Sequence, residues 1–207
     1  MAAMSSTDNK NTRYHHGNLR SALVEASVNM VRQHGIEGLS LRKLAETVGV
    51  SRTAPYHHFK DKDALLAAVA EQGFAELSDL LSRVVSNTNS PLTERLEKAV
   101  MDYLEFAVAY PTQYDLMFGQ ALWHSDSQWE FQRHAKDCFR QYVHLFELFE
   151  AQGILRKDEV PLRLAQLMWA TLHGLAKLAS DGIFGKNDDV NEITRYALKR
   201  FESSLKL

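Results

Sequence analysis

Apolar residues recur every three or four positions along most of this chain, and that spacing predicts amphipathic helices rather than strands. Alternating valine- or threonine-rich runs, which would indicate a β-sheet, do not occur in the sequence. Glycines, prolines and capping residues divide the pattern into about nine helical segments, near residues 18–34, 41–48, 52–58, 61–85, 91–110, 112–119, 126–152, 159–180 and 189–205. The predicted buried stripe of the first segment comprises Leu19, Ala22, Leu23, Ala26, Val28 and Met30. We therefore predict an all-α protein.

The stretch from residue 39 to residue 65 predicts two short helices joined by a tight turn. Ser40 is suited to cap the first helix, whose apolar positions from Leu41 to Val48 share one face. Gly49 can end that helix in the left-handed conformation, which glycine adopts without steric penalty. The second predicted helix, 52–58, has little apolar surface and many hydrogen-bonding side chains. This combination is typical of a helix-turn-helix, which places its second helix in the major groove of DNA.

The distribution of charge supports the same interpretation. The whole chain has a formal net charge of −2. Between residues 10 and 62, however, the sequence has nine lysines and arginines but only four acidic residues. This segment therefore carries a net charge of +5 and the remainder of the chain −7. A basic segment attached to an acidic body is the arrangement expected when only the first part of a protein contacts nucleic acid.

Three stretches of the chain resemble the DNA-binding domain of TetR-type transcriptional regulators. They are YHHGNLRSALVEAS (Tyr14–Ser27), GLSLRKLAETVGVS (Gly38–Ser51) and APYHHFKDKDALL (Ala54–Leu66). Two later stretches, YPTQYDLMFG (Tyr110–Gly119) and MWATLHGLAK (Met168–Lys177), resemble a branch of that family named for a Trp…His-Gly box in its ligand-binding domain. The resemblance implies an N-terminal three-helix helix-turn-helix domain joined to a helical-bundle regulatory domain.

Candidate DNA contacts follow from the residue types and from this resemblance. Arg52 can form a bidentate pair with a guanine edge, which makes it a candidate for base recognition. The resemblance implies that Thr53, Ala54 and His57 also contact bases. It further implies that other residues contact the phosphates of the DNA backbone. The predicted contacts to the DNA backbone are Ser40, Arg42, Lys43, Tyr56, His58, Lys60 and Lys62. Arg13 in the N-terminal tail is a candidate for the adjacent minor groove.

The second half of the chain contains more large aromatic residues than plain packing of a five-helix body requires, although most of them also suit a core. Trp169 and His173 are four residues apart and therefore share a helical face, where they can line a cavity together with Thr171. The predicted ligand-binding residues are Phe106, Tyr110, Tyr114, Met117, Phe118, Trp123, Phe139, Tyr142, Trp169 and His173. An aromatic lining with one histidine suits a small, largely apolar effector.

Other chemistry is weakly indicated. His134 and Cys138 have a spacing that can bind a metal, but only Glu130 lies near enough to join them, so we predict neither a metal nor a cofactor. Nucleophile-elbow, phosphate-loop and paired zinc motifs are missing, which disfavours an enzyme. The single cysteine suits a reducing cytoplasm, and charges interrupt every apolar run, so no membrane segment is predicted.

The sequence thus predicts four regions: a disordered tail (1–13), a helix-turn-helix domain (14–62), a connecting helix (63–85) and an effector-binding and dimerisation domain (86–207). We expect a cytoplasmic repressor that binds a palindromic double-stranded operator as a homodimer. The two copies are expected to join through their eighth and ninth helices, and a small molecule is expected to release the repressor from the operator. One short recognition helix reads too few base pairs to act alone. A helical adaptor or small-molecule-binding protein without DNA affinity is the alternative.

Overall fold

The computed structural model describes residues 19–123, 129–184 and 189–206. Regular structure in these residues is helical, apart from one β-bridge between Leu155 and Leu205. The elements are α1 (Leu19–Gly38), α2 (Leu41–Val48), a 3-10 helix (Ala54–His57), α3 (Lys62–Ser86), α4 (Leu92–Ala109), α5 (Pro111–Phe118), α6 (Gln120–Trp123), α7 (Trp129–Ala151), α8 (Pro161–Ser180) and α9 (Val190–Glu202). The predicted all-α fold is confirmed. The predicted tail (1–13), with Arg13, lies outside the described residues.

Helix α1 differs from its prediction at its end and in its buried face. Gly35, which was expected to stop the helix, instead forms a kink with φ 68° and ψ −176°, and helical structure resumes to Gly38. The buried positions are Leu23, Val24, Ser27, Val28 and Val31. Leu23 and Val28 belong to the predicted stripe, whereas its other four residues are only half-buried, so the buried face is rotated from the prediction. Ser27 can be buried because its hydroxyl donates to the Leu23 carbonyl at 2.6 Å.

The predicted recognition helix at 52–58 is wrong in extent and type. The structure has a four-residue 3-10 helix, Ala54–His57, in its place. Its backbone hydrogen bonds join residues three apart, from the Tyr56 amide to the Thr53 carbonyl at 3.1 Å and from the His58 amide to the Pro55 carbonyl at 3.0 Å, which is the 3-10 pattern. The Thr53 side chain does not cap this helix, since its hydroxyl pairs with that of Ser51 at 3.2 Å.

The start of α3 is fixed by a side-chain cap. Asp61 accepts a hydrogen bond from the Ala64 amide at 2.8 Å, so α3 begins at Lys62, close to the predicted position. Prolines mark the starts of two further helices: Pro91 precedes the first residue of α4 rather than occupying it, and Pro111 opens α5 directly after α4 ends. The one-turn helix α6 was not predicted.

Two clusters of buried side chains make up the core, and α3 belongs to both. The first cluster combines α1, α2 and the first half of α3 with residues of α5 and α7, including Met117 and Phe131. The second combines Val84 at the end of α3 with α4, α7, α8 and α9. Leu77 and Leu81 pack against both clusters, so α3 connects the N-terminal helices to the bundle through continuous apolar packing.

Helices α3 and α5 approach each other closely at Gly73. A Cβ atom placed on Gly73 would lie 2.3 Å from the Met117 sulfur, and both residues are buried. Glycine therefore lets the Met117 side chain lie directly against α3, and any larger residue at position 73 would require Met117 to move. Across the described residues, no helix is both long and apolar enough to cross a membrane.

Candidate DNA-binding surface and ligand cavity

The turn between α2 and the 3-10 helix is built by local hydrogen bonds. Ser40 caps α2, accepting a hydrogen bond from the Lys43 amide at 3.2 Å, while its own hydroxyl hydrogen stays available to a phosphate. Gly49 adopts φ 76° and ψ 34° and donates to the Ala45 carbonyl at 3.0 Å. The left-handed glycine thus ends α2 and directs the chain into the 3-10 helix, as the sequence predicted.

Buried anchors hold the 3-10 helix so that its polar side chains face outward. Pro55 and Phe59 are buried, and the Arg20 guanidinium lies 5.5 Å from the centre of the Phe59 ring. Tyr56 is 56% exposed. The other predicted contacts near it are exposed, except for the half-buried Ala54 and Lys62: Arg52, Thr53, His57, His58 and Lys60. The fold therefore leaves these predicted residues accessible to solvent within a short stretch of the chain, around the 3-10 helix.

Two predicted phosphate contacts on α2 are also exposed. Arg42 pairs with Glu46 one helical turn away, with Nε 3.5 Å from the carboxylate, and both side chains are more than half exposed. Such a surface pair contributes little stability, so it can be exchanged for a phosphate contact. Lys43 is exposed beside it. Together with the 3-10 helix, these residues form the candidate DNA-binding surface.

A cavity of about 690 Å³ lies within the helical bundle. Residues of α3, α4, α7, α8 and α9 form most of its wall, with contributions from the short helices α5 and α6. Its size falls in the range of small-molecule sites. Six of the predicted ligand-binding residues lie in this wall: Phe118, Trp123, Phe139, Tyr142, Trp169 and His173.

The other four predicted ligand-binding residues lie outside the cavity wall. Phe106 and Tyr110 pack instead around the Arg32 guanidinium, which is 5.8 Å and 3.8 Å from their ring centres. Met117 and Tyr114 are fully buried in the two core clusters. Their large apolar side chains fit a core as well as a cavity, and the sequence does not separate these two roles.

Several wall residues were not predicted. Phe74 on α3, Tyr103 on α4 and Met168 on α8 line the cavity, as does Phe201 on α9. Each belongs to an ordinary apolar helical stripe, so periodicity alone assigns it to a core. Only Tyr103 carries a polar group that distinguishes it, and its role depends on a partner on another helix.

A hydrogen-bonded chain connects one wall of the cavity to α5. The Tyr103 and Tyr114 hydroxyl oxygens are 2.8 Å apart, and the Tyr114 hydroxyl lies 2.6 Å from His173 Nδ1. The His173 ring stacks between Tyr114 and Trp169, with centroid distances of 5.6 Å and 5.4 Å. Burial, and then the nearby Lys177 charge, lowers the pKa of His173. The histidine is therefore held neutral and fixed in orientation at the cavity wall.

A partly buried polar cluster joins α1 to the bundle through α5 and α3. Arg32 Nε donates to the Gln113 side-chain oxygen at 2.6 Å, and Arg32 Nη2 contacts both Glu76 oxygens at 2.9 Å. The fully buried Gln113 in turn donates to the Val69 carbonyl at 3.0 Å. Because Gln113 and Tyr114 are neighbours on α5, that helix contacts α1 through one residue and the cavity wall through the next.

His134 and Cys138, the two residues with a metal-binding spacing, have different environments in the structure. His134 Nδ1 lies 3.6 Å from a Glu71 oxygen, and burial raises the pKa of that carboxyl group. Cys138 is buried, which raises the pKa of its thiol. In the described ranges, no group of three histidine, cysteine or acidic side chains is placed to hold a metal ion.

These features define a helix-turn-helix protein with a cavity-containing helical C-terminal domain. Residues 23–69 match the family model described as bacterial regulatory proteins of the tetR family. Residues 96–201 match the model described as a tetracyclin repressor-like C-terminal domain. Together these matches cover both parts of the fold, and the chain belongs to the TetR family of bacterial regulators.

Individual relatives agree with this assignment. The chain is 29% identical over 96 residues to the HTH-type transcriptional repressor AcnR of Corynebacterium diphtheriae, a stretch that covers 46% of this chain and 43% of that repressor. It is 23% identical over 194 residues to the uncharacterized HTH-type transcriptional regulator YobS of Bacillus subtilis, covering 91% and 93% of the two chains. A solved structure of a Rhodococcus sp. RHA1 protein of unknown function is 32% identical, with a TM-score of 0.77 over 95% of this chain and 100% of that one.

The Arg32 cluster gives a first test of how α1 is held. Arg32→Ala leaves the buried Gln113 oxygen and the Glu76 carboxylate without their partner, so we expect a loss of roughly 2–4 kcal/mol in the free energy of unfolding. The matched control is Arg195→Ala, which removes an exposed pair with Glu97 at 3.0 Å and should cost about 0–1 kcal/mol. Urea unfolding measures both values. Equal losses would show that the Arg32 cluster contributes no more than a surface pair.

Proposed function

We propose that this protein is a DNA-binding transcriptional repressor that a small, largely apolar ligand releases from its operator. One observation supports the proposal above the others: a surface of exposed hydrogen-bonding and basic side chains is held by buried Pro55 and Phe59, while an apolar cavity lies in the same rigid framework. The alternative function, a helical adaptor without DNA affinity, does not account for a 3-10 helix with so many exposed hydrogen-bonding side chains. Residence in the cytoplasm, where the operator is, follows from the same proposal.

The DNA contacts divide into two roles. Arg52 and His57, with Thr53 and Ala54, are proposed to meet base edges in the major groove. Tyr56, His58 and the basic residues around them are proposed to position the protein on the phosphates. Lys62 is the first residue of α3, where the helix N-terminus also favours a phosphate.

Two substitutions separate these roles. Arg52→Ala should lower the discrimination between bases at one position per half-site by about 1–3 kcal/mol. It should leave binding to duplexes that lack the operator almost unchanged. Lys62→Ala should weaken binding to all sequences and lower the salt dependence by about one unit of slope. Fluorescence anisotropy with operator and scrambled duplexes measures both effects. Lys98→Ala, an exposed lysine of α4, is the control and should bind as the parent does.

A uniform loss of affinity for all sequences in both Arg52→Ala and Lys62→Ala would contradict the assignment of Arg52 to base recognition. Binding without any sequence preference would favour the alternative of a protein without a specific operator. The duplexes come from genomic fragments that the parent protein retains in an electrophoretic shift.

The ligand is proposed to lie against Trp169 and His173. These residues, with Gly174, form the Trp…His-Gly box, and we propose on that basis that the chain belongs to the branch named for it. Ligand binding shifts the operator affinity only if the ligand prefers one arrangement of the DNA-binding surfaces over another. The proposed connection is α3, which begins at the DNA-binding surface and passes along the cavity wall.

A thermal-shift screen of hydrophobic metabolites and drugs tests the cavity. A compound that raises the melting temperature of the parent protein should lose most of that effect on Trp169→Ala and on His173→Ala. The matched control is Trp129→Ala, because Trp129 is 59% exposed and lies outside the cavity wall. A compound that stabilises both cavity variants as fully as the parent would place its site elsewhere.

A homodimer through α8 and α9 is proposed because these helices carry exposed apolar side chains. Leu167 is 66% exposed, and Leu178 and Tyr196 are also exposed. Other apolar residues of α8 have a different role, since Leu164, Met168 and Leu172 are buried in their own chain. The exposed residues are therefore the proposed contact with the second copy.

Leu167→Glu should convert the dimer to a monomer, because it would place two charges in the apolar interface. Sedimentation velocity at micromolar concentration measures the state, and the variant should also lose operator affinity. Val108→Glu, at a 51% exposed position of α4, is the control and should remain dimeric. A parent protein that is monomeric at micromolar concentration and yet has full operator affinity would rule out the dimer.

A further inference from the structure

We infer that the cavity accommodates an uncharged, largely apolar molecule that carries a carbonyl or hydroxyl oxygen, and that the Tyr142 hydroxyl binds this oxygen. The inference rests on the proposed ligand cavity and narrows the chemical class of its occupant. Two independent observations support it: the charge distribution of the wall and an unpaired hydroxyl group in the same wall.

The wall of the cavity has very few charges. Its charged members among the described residues are Lys136 and Arg140, both exposed on α7, and Arg140 already pairs with Asp137 on the surface. No acidic side chain occurs in the described wall, so a cationic ligand has no counter-charge there. A charged group carried inside would lose its hydration without a partner, which is strongly unfavourable.

His173 does not change this balance. It is the titratable base of the inner wall, and burial together with the Lys177 charge lowers its pKa. Lys177 itself is engaged by Asp115 at 2.7 Å and Asp181 at 2.8 Å. The histidine therefore presents a neutral ring to the cavity, stacked on Trp169.

Tyr142 provides the polar group that a ligand can use. Its ring lies in the cavity wall between aromatic neighbours, with centroid distances of 6.3 Å to Phe139 and 5.1 Å to Phe146. Its hydroxyl is buried and has no hydrogen-bond partner among the described residues. Burial raises the pKa of this phenol, so the group keeps its proton and remains a donor.

Tyr103 shows that an unpaired phenol is not the rule in this wall. Tyr103 is buried and lines the same cavity, but its hydroxyl pairs with that of Tyr114 at 2.8 Å. Native proteins rarely leave a buried hydroxyl unpaired, and an exception calls for an explanation. A ligand oxygen supplies the missing partner, whereas a pure hydrocarbon would fill the volume and leave the hydroxyl unpaired.

Four probes that share a butylphenyl group test the class by calorimetry: 4-butylacetophenone, butylbenzene, 4-butylbenzoate and 4-butylbenzylamine. The ketone should bind about three- to tenfold more tightly than the hydrocarbon, which is the usual net effect of one hydrogen bond. The benzoate and the benzylamine, which are charged at neutral pH, should bind more weakly than the ketone.

Tyr142→Phe is the decisive variant because it removes only the oxygen. It should abolish the advantage of the ketone while leaving the affinity for butylbenzene unchanged. Its melting temperature without ligand should equal or exceed that of the parent, since an unpaired buried group has been removed. Tyr103→Phe is the contrast: it breaks an existing hydrogen bond, so it should lower the melting temperature.

Several results would overturn the inference. These are equal affinities for the ketone and the hydrocarbon, no binding of any probe, or a clear loss of stability in Tyr142→Phe. Tightest binding of the benzoate, lost on Lys136→Ala, would instead show an anionic ligand held at the exposed edge of α7. Operator binding is measured separately by anisotropy. If the protein binds its operator but fails these tests, the inferred ligand class is wrong and the proposed function still stands.

Discussion

The contact that the rest of this structure depends on is the packing of α5 between the N-terminal helices and the bundle. Gln113 faces Arg32 of α1, and the next residue, Tyr114, faces His173 of α8. Both side chains are fully buried, so each polar atom must find a partner inside the protein. The bonds to Arg32, Val69 and Tyr103 fulfil that condition, and they leave α5 little freedom to move without disturbing a partner on another helix.

Local chemistry explains which parts of the fold could be predicted from the sequence. Ser40, Gly49 and Asp61 each act on backbone groups within four residues, and each marks a helix end correctly. The 3-10 helix was predicted as longer because the polar pattern shows where a recognition element lies and not how many turns it has. The sequence predicts an end of the first helix before Gly35 because a left-handed glycine commonly terminates a helix, whereas α1 continues past it through a kink.

Long-range contacts explain what could not be predicted. Arg32 and Gln113 are 81 positions apart, and nothing in the pattern around either residue indicates the other. Trp169 and His173 stood out because an aromatic and a polar ring share a face in a four-residue interval. Phe74 and Tyr103 did not, since a cavity wall and a solid core use the same apolar periodicity. Only the separation between packed helices distinguishes them.

The glycine at position 73 has a consequence for how the bundle can respond to an occupied cavity. Its missing side chain lets α3 touch Met117 of α5, while the neighbouring residue, Phe74, belongs to the cavity wall. This contact lies directly beside the cavity wall, on a helix, α5, that its buried polar bonds hold in place. In the proposed response to a ligand, Gly73 would be the pivot about which α3 tilts, and the tilt would be largest at the two ends of α3, one of which carries Lys62.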